Sequence, residues 1–293
     1  MSQPHRPLAA TLWMAGSVCG LCLVAIAGRA LKAHLDTFEV MLYRSLVGVA
    51  VIGLTATATG RLGAINRRNL GTHFLRNAVH FAGQNLWLFA LSLIPLAQLF
   101  ALEFSYPILV ALSAPLLLGE RLTATRLLSA ATGFAGILIV SRPFGAGGLS
   151  VGLLAALLSA FGFAGAAILT KRLTRVTSVL CILFWLTLMQ SLMGLACAAA
   201  DGHVALPPVA ALPWVLVIGL AGLGAHFSLT KALSLAPASL VVPIDFARLP
   251  LIAAIGALFY AEPFDLWVLV GGAIIFAANW MNIVADSRRT ARA

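Results

Sequence analysis

The sequence predicts an all-α membrane protein, ten transmembrane helices arranged as two inverted-topology five-helix repeats. Three observations carry that expectation. Of 293 residues, 61% are hydrophobic and only 10% charged, more apolar surface than a soluble domain of this length can hide. The apolar residues fall into ten successive stretches, most of them about 20 residues long and so able to cross a hydrocarbon core of roughly 30 Å as a helix. The chain also repeats itself: Ala90-Leu91-Ser92-Leu93-Ile94-Pro95 returns 142 positions later as Ala232-Leu233-Ser234-Leu235-Ala236-Pro237. The same displacement carries Gly20 onto Gly162, Arg29 onto Lys171, Ser45 onto Thr187, Glu103 onto Asp245 and Glu120 onto Glu262.

The stretches run approximately Ala9 to Leu31, Phe38 to Ala58, Thr72 to Ile94, Leu96 to Leu118, Arg126 to Val140, Leu149 to Leu169, Ser178 to Ala199, Leu212 to Leu233, Ala238 to Tyr260 and Phe264 to Val284. Five per copy is an odd number, so the second copy, residues 146–293, is expected to lie upside down relative to the first, residues 1–145. That arrangement, with a pathway near mid-depth between the halves, marks transporters. The net charge of +10 is explained by sidedness: fourteen basic residues, among them Arg61, Arg67, Arg68, Arg76, Arg121, Arg126 and Arg175, fall on the side of both termini and three (Arg29, Lys32, Arg142) on the other. The positive-inside rule then puts both termini in the cytoplasm, and a nucleic-acid partner has nothing left to explain.

Taken in order, the first span follows His5-Arg6 and is too long for a secretory leader, so it is expected to be retained. Its Gly16-x-x-x-Gly20 suits close helix contact. Cys19 and Cys22 share a face, but no second ligand pair or His cluster accompanies them, so no metal is expected. The second span carries Arg44, with Glu39 five residues earlier. A cation there holds a substrate carboxylate or pairs with an acid on another helix, and pairing is the favoured of the two. In the third, Asn77, His80 and Gln84 stack on one face, as a stripe lining an aqueous path would.

The fourth span holds Glu103, the rings Phe100 and Phe104, and two prolines, Pro107 and Pro115, that favour kinks. The short fifth carries Gly133 and Gly136. Phe161 and Phe163 in the sixth and Trp185 in the seventh offer an apolar cavity for planar rings, Phe163 and Trp185 first because their helices face the opposite half. The eighth contains Gly219, Gly222 and Gly224, His226 opposite Gln84 in the repeat, and Lys231, which extends the path or snorkels to the surface. In the ninth, Pro243 and Pro250 match the prolines of the fourth. Asp245 and Arg248 are three apart there, where helical side chains meet, so an ion pair competes with a pathway role. Glu120 and Glu262 recur in both copies and read as structural or gating groups. Positions where the copies disagree, His80 against Gly222 above all, are where an asymmetric solute is expected.

This pattern, with Leu118-Gly119-Glu120-Arg121-Leu122 and the following Gly133 and Gly136, resembles the EamA-type members of the drug/metabolite transporter superfamily over essentially the full length. The second copy departs in having Ala261 and Pro263 around Glu262. Within that family the chain is similar to bacterial exporters of aromatic amino acids, through its length, Arg44 and Asn77-x-x-His80. The resemblance implies export of aromatic amino acids and related metabolites through the inner membrane by alternating access. Small multidrug-resistance relatives exchange protons on a glutamate in their first helix. Leu12 to Arg29 contains no carboxylate, so facilitated diffusion is expected ahead of proton-coupled drug or metabolite efflux. No phosphate-binding loop is present to use ATP. A membrane-embedded enzyme acting on lipid or sugar phosphates would need clustered acids or histidines, and the nine acids are scattered. The expectation is therefore a monomeric, non-enzymatic carrier in the lipid bilayer, without cofactors.

Overall fold

The computed structural model describes residues 7–106, 108–110, 112–113, 124–142, 149–235, 244–245, 248–263 and 265–290. Pro107, Pro115, Glu120 and Pro243 lie outside the described residues, so the gating roles expected of Pro107 and Glu120 have no structural counterpart here. Among the described residues the regular structure is entirely helical. The helices are α1 (Pro7–Leu31), α2 (Thr37–Ala58), α3 (Leu70–Leu91), α4 (Leu96–Glu103), α5 (Ala124–Ser141), α6 (Val151–Leu173), α7 (Val179–Ala198), α8 (Leu212–Leu235), α9 (Arg248–Tyr260) and α10 (Leu266–Thr290).

Local chemistry sets several boundaries. Asp36 caps α2 by accepting from Glu39 N at 2.7 Å, while Glu39 Oε2 accepts from Asp36 N at 2.9 Å, a reciprocal capping box. Ser150 and Ser178 cap α6 and α7 through their hydroxyls. Pro95, lacking an N–H and holding φ at −57°, separates α3 from α4. Pro250 is the third residue of α9 as described and is exposed.

Five helices, α1, α2, α6, α7 and α8, are long and apolar enough to cross a membrane. Shorter apolar helical segments lie in α5, α9 and α10. The 22 residues of α3 reach about 33 Å at 1.5 Å per residue, with their hydropathy diluted by the polar stripe. Apolar side chains also cover the outside: Leu54 is 70% exposed and Leu258 80%, as a lipid-facing surface requires. Phe161, expected among the cavity rings, is 61% exposed and belongs to that surface. Arg76, counted above with the basic residues of one face, is instead buried within α3.

The core joins residues of both halves, with Leu88, Leu91, Leu96 and Phe100 packed in one cluster with Leu153, Ile218, Ile252 and Ile275. The principal helix pairs are α1 with α8, α3 with α6, α2 with α7 and α5 with α10. Every pair joins residues 7–141 to residues 151–290, and the set is unchanged when each helix is replaced by the one five places away. A detail recurs in the same way. A Cβ on Gly20 would meet Ala221 O at 2.9 Å and Ala225 Cβ at 3.0 Å, and one on Gly162 would meet Val79 O and Gly83 Cα, both at 2.7 Å. Residues 20, 221 and 225 are 162, 79 and 83 under the displacement of 142. Missing side chains let both crossings close to backbone contact.

Candidate functional site

The polar face of α3 is wholly interior. His73, Arg76, Asn77, His80 and Gln84 all lie below 8% exposure, and their spacing of three and four residues keeps them on one side of the helix. Arg76, Asn77 and His80 each have a partner in the other half of the chain. Arg76 donates through Nε to Thr170 Oγ1 at 3.0 Å and through Nη1 to Asn77 Oδ1 at 2.8 Å. Asn77 Nδ2 donates to the carbonyl of Trp185 at 3.0 Å. Gln190 Nε2 and His80 Nδ1 are 2.6 Å apart, a hydrogen bond in which the amide donates when the imidazole proton is on Nε2. The His80 ring sits edge-on to His226, centroids 5.1 Å apart, and 5.8 Å from Phe163. Asn77, His80, Phe163, Trp185 and His226 lie near one another, with Gln84 buried one turn further along.

A cavity of about 10 Å³, room for one water, adjoins this cluster and is lined by Arg44, Ser45 and Gly48 of α2, Leu186, Thr187 and Gln190 of α7, and Gly219, Leu223 and His226 of α8. The first three become the second three under the displacement of 142, so α2 and α7 face each other through equivalent residues. Yet the chemistry is unequal. Arg44 stands against Leu186, Gln190 against Gly48, Asn77 against Gly219 and His80 against Gly222. Where equivalent helices cross, two large polar side chains compete for one space, and a large one opposite a small or apolar one fits.

Arg44 is buried and, among the described residues, has no carboxylate partner; its Nη1 lies 3.8 Å from Met41 Sδ. The pairing expected for it with an acid on another helix is not found among the described residues, and Glu39 on its own helix is occupied, accepting from Asp36 N and, at 2.6 Å, from Ala205 N. The remaining charged residues expected along the path form a separate cluster between α4 and α9. Arg248 Nη2 donates to Asp245 Oδ2 at 2.7 Å and to Glu103 Oε1 at 3.0 Å. Trp87 Nε1 donates to Glu103 Oε2 at 2.8 Å. The guanidinium carbon sits 4.9 Å from the Phe100 centroid and 5.1 Å from that of Phe104. Glu103, Asp245 and Arg248 therefore pair with one another, with Asp245 Oδ1 and Arg248 Nε left without a partner among the described residues, and none of the three lines the cavity.

Each end of the α2–α7 pair carries a clasp. At one end Tyr43 donates through its hydroxyl to Ala205 O at 2.8 Å, beside the Glu39 contact to Ala205 N. At the other, Trp185 Nε1 donates to Asn66 O at 2.9 Å, beside a 3.5 Å contact from Cys181 Sγ. Residues 39 and 43 are 181 and 185 under the same displacement. Each pair grips the loop that follows the other helix. Beside the first clasp, Glu262 pairs with Arg29 and accepts from Leu96 N at 2.8 Å, while Arg29 donates to the carbonyls of Leu91 and Ile94. Glu262 thus closes the start of α4 and Arg29 the end of α3. Lys231 is partly buried near the end of α8, away from the cavity lining.

Sequence reasoning missed Arg76, Gln190, Thr170, Tyr43 and Trp87. Gln190 was findable, since the displacement sets a glutamine in an apolar span against Gly48. Thr170 and Trp87 carried no signal, being ordinary residues of membrane helices until a partner is known. Among the described residues no group of His, Cys, Asp or Glu converges as metal ligands would.

A riboflavin transporter of Rhizobium johnstonii is 30% identical over 293 residues, covering 98% of this chain and 95% of its own. An S-adenosylmethionine uptake transporter of Rickettsia bellii is 25% identical, covering 90% and 89%. A crystal structure covering 95% of this chain and 98% of its own matches with a TM-score of 0.69 at 19% identity, a likeness of fold alone. The EamA-like transporter family model matches twice, over residues 8–142 and 150–284. With nearly the whole chain matched, this multi-pass membrane protein is a transporter that belongs to the EamA-like transporter family.

Proposed function

We propose that the chain is a ten-span carrier of two inverted five-helix repeats, residues 1–145 and 146–293, in a bacterial inner membrane with both termini cytoplasmic. It moves a planar heteroaromatic metabolite of the riboflavin kind by alternating access. The cavity between α2 and α7 is the observation that carries this reading: it lies between equivalent residues of the two halves, has a clasp at each end, and lacks an acid. The rings of Phe163, His80 and His226 flank it, a surface on which a flat ring system stacks. The Rhizobium relative supports the cargo. Rocking the halves would release the Tyr43–Ala205 clasp on the outer side while holding the Trp185–Asn66 clasp on the cytoplasmic side, and then the reverse. With no carboxylate at the cavity to exchange a proton, the carrier runs down its cargo's gradient in either direction.

Export of aromatic amino acids is the second reading, favoured by one observation: a buried Arg44 without an acid suits a free carboxylate. Purified protein in liposomes separates the two when flux of riboflavin, phenylalanine and S-adenosylmethionine is measured with and without a pH gradient. Riboflavin flux indifferent to the gradient is expected. Phenylalanine flux without riboflavin flux would move the assignment to amino acids, and gradient-driven flux would overturn the facilitator.

A further inference from the structure

Two buried guanidiniums in this membrane protein face one small polar region with no acid among the described residues beside either: Arg44 on α2 and Arg76 on α3. A charge at membrane depth costs several kcal/mol unless something compensates it. Arg76 is compensated in part by Thr170 and Asn77. Among the described residues Arg44 has only a thioether, at 3.8 Å. The two histidines, Gln190 and Thr187 near the cavity bring no negative charge.

The space around Arg44 is built for it. A Cβ at Gly222 would lie 3.1 Å from Arg44 Nη2 and 3.5 Å from Cζ, so the absence of a side chain at 222 makes the notch in which the guanidinium rests. A Cβ at Gly219 would meet Arg44 O at 3.2 Å, which shows how closely α8 approaches α2 beneath it. The displaced counterparts of these glycines are Asn77 and His80, so one half of the chain keeps polar side chains where the other keeps space. Arg44 also lines the cavity.

We propose that Arg44 is the residue that selects the cargo: its guanidinium turns from the Gly222 notch to donate to an electron-rich edge bearing acceptor oxygens, and Arg44 with Arg76 excludes cationic cargo. The acceptor edge is the dione side of a flavin-type ring or the carboxylate of an amino acid, the chemistry a guanidinium fork recognises. The inference deepens the carrier reading and rests on it. It also separates this chain from relatives that carry a sulfonium compound, because a buried cation without an acid repels one.

The test uses the full chain in detergent and in liposomes. Binding of riboflavin, phenylalanine and phenethylamine, which is phenylalanine without its carboxylate, is measured on wild type, Arg44→Met and Arg44→Lys, with melting temperature as the check on folding. Wild type is expected to bind riboflavin or phenylalanine at least tenfold more tightly than phenethylamine. Arg44→Met is expected to lose at least tenfold for the acceptor-bearing ligand with no loss for phenethylamine, and Arg44→Lys to recover part of it. Binding of phenylalanine but not riboflavin would end the flavin reading and leave Arg44 as the selecting residue. Equal affinities of wild type and Arg44→Met, or tight binding of phenethylamine by wild type, would overturn the inference. The wild-type comparison decides the matter even if the variants do not fold.

Discussion

Arg248 and Arg44 are both buried and both lie in helices that face the opposite half, but their surroundings differ in every respect that matters. Arg248 has Asp245 and Glu103 within 3.0 Å and two phenyl faces about it. Arg44 has a methionine sulfur, a glycine notch and a cavity. A charge whose partners are all supplied by the protein is committed to holding helices together. A charge the protein leaves without an acid is available to something that arrives. Burial alone would have put the two arginines in one class.

The largest expected effect is at Arg248. Replacing it with Met leaves two carboxylates buried without a cation and should destabilise the protein by about 3–5 kcal/mol, read as denaturation of the purified chain. Replacing Glu103, Asp245 and Arg248 together by apolar residues of similar size should restore most of that loss, because a fully removed ion network is often neutral. An Arg248→Met protein that melts like wild type would break the comparison. Arg44→Met strands no acid among the described residues and removes a poorly compensated buried charge, so the variant should be at least as stable as wild type while cargo flux falls at least tenfold. A stability loss as large as that of Arg248→Met would place Arg44 in the scaffold after all.

Next comes Gln190→Leu, which removes the donor to His80 Nδ1 and should cost about 1–3 kcal/mol through the unpaired acceptor. His80→Ala should lower flux with insertion intact, and unchanged flux would make the α3 stripe scaffold. The smallest effect is at the first clasp, where Tyr43→Phe deletes one neutral hydrogen bond, about 0.5–1.5 kcal/mol; Trp185→Phe deletes one as well and also loses part of the ring packing on His73 and Phe184. Alkylation of a cysteine at Ser45 by a membrane-impermeant thiol reagent should rise from one side in Tyr43→Phe and from the other in Trp185→Phe. A rise from the same side in both would end their reading as opposed clasps.

Much of the fold was legible in the sequence. The five long apolar helices begin within two residues of the stretches read from composition, because the length of an apolar run is a local quantity that a membrane reads directly. The displacement of 142 anticipated which residues would be equivalent, including both glycine crossings. It also singled out His80 as a place where the copies differ. The site was legible only in part. Asn77 and His80 announced themselves by spacing, but Arg76 looked like a surface charge near the start of its span, and Arg44 looked as though an acid would find it.

The sequence by itself determined the membrane class, the positions of the five long apolar helices and the family, since apolar length and motif are written along one dimension. Only the tertiary structure decided which buried charges are satisfied. Those partners are distant in the chain, 145 residues between Glu103 and Arg248 and 110 between His80 and Gln190. Whether a polar side chain in a membrane is cement or contact depends on what stands within about 3 Å of it, and no spacing rule along one helix records what the facing helix supplies.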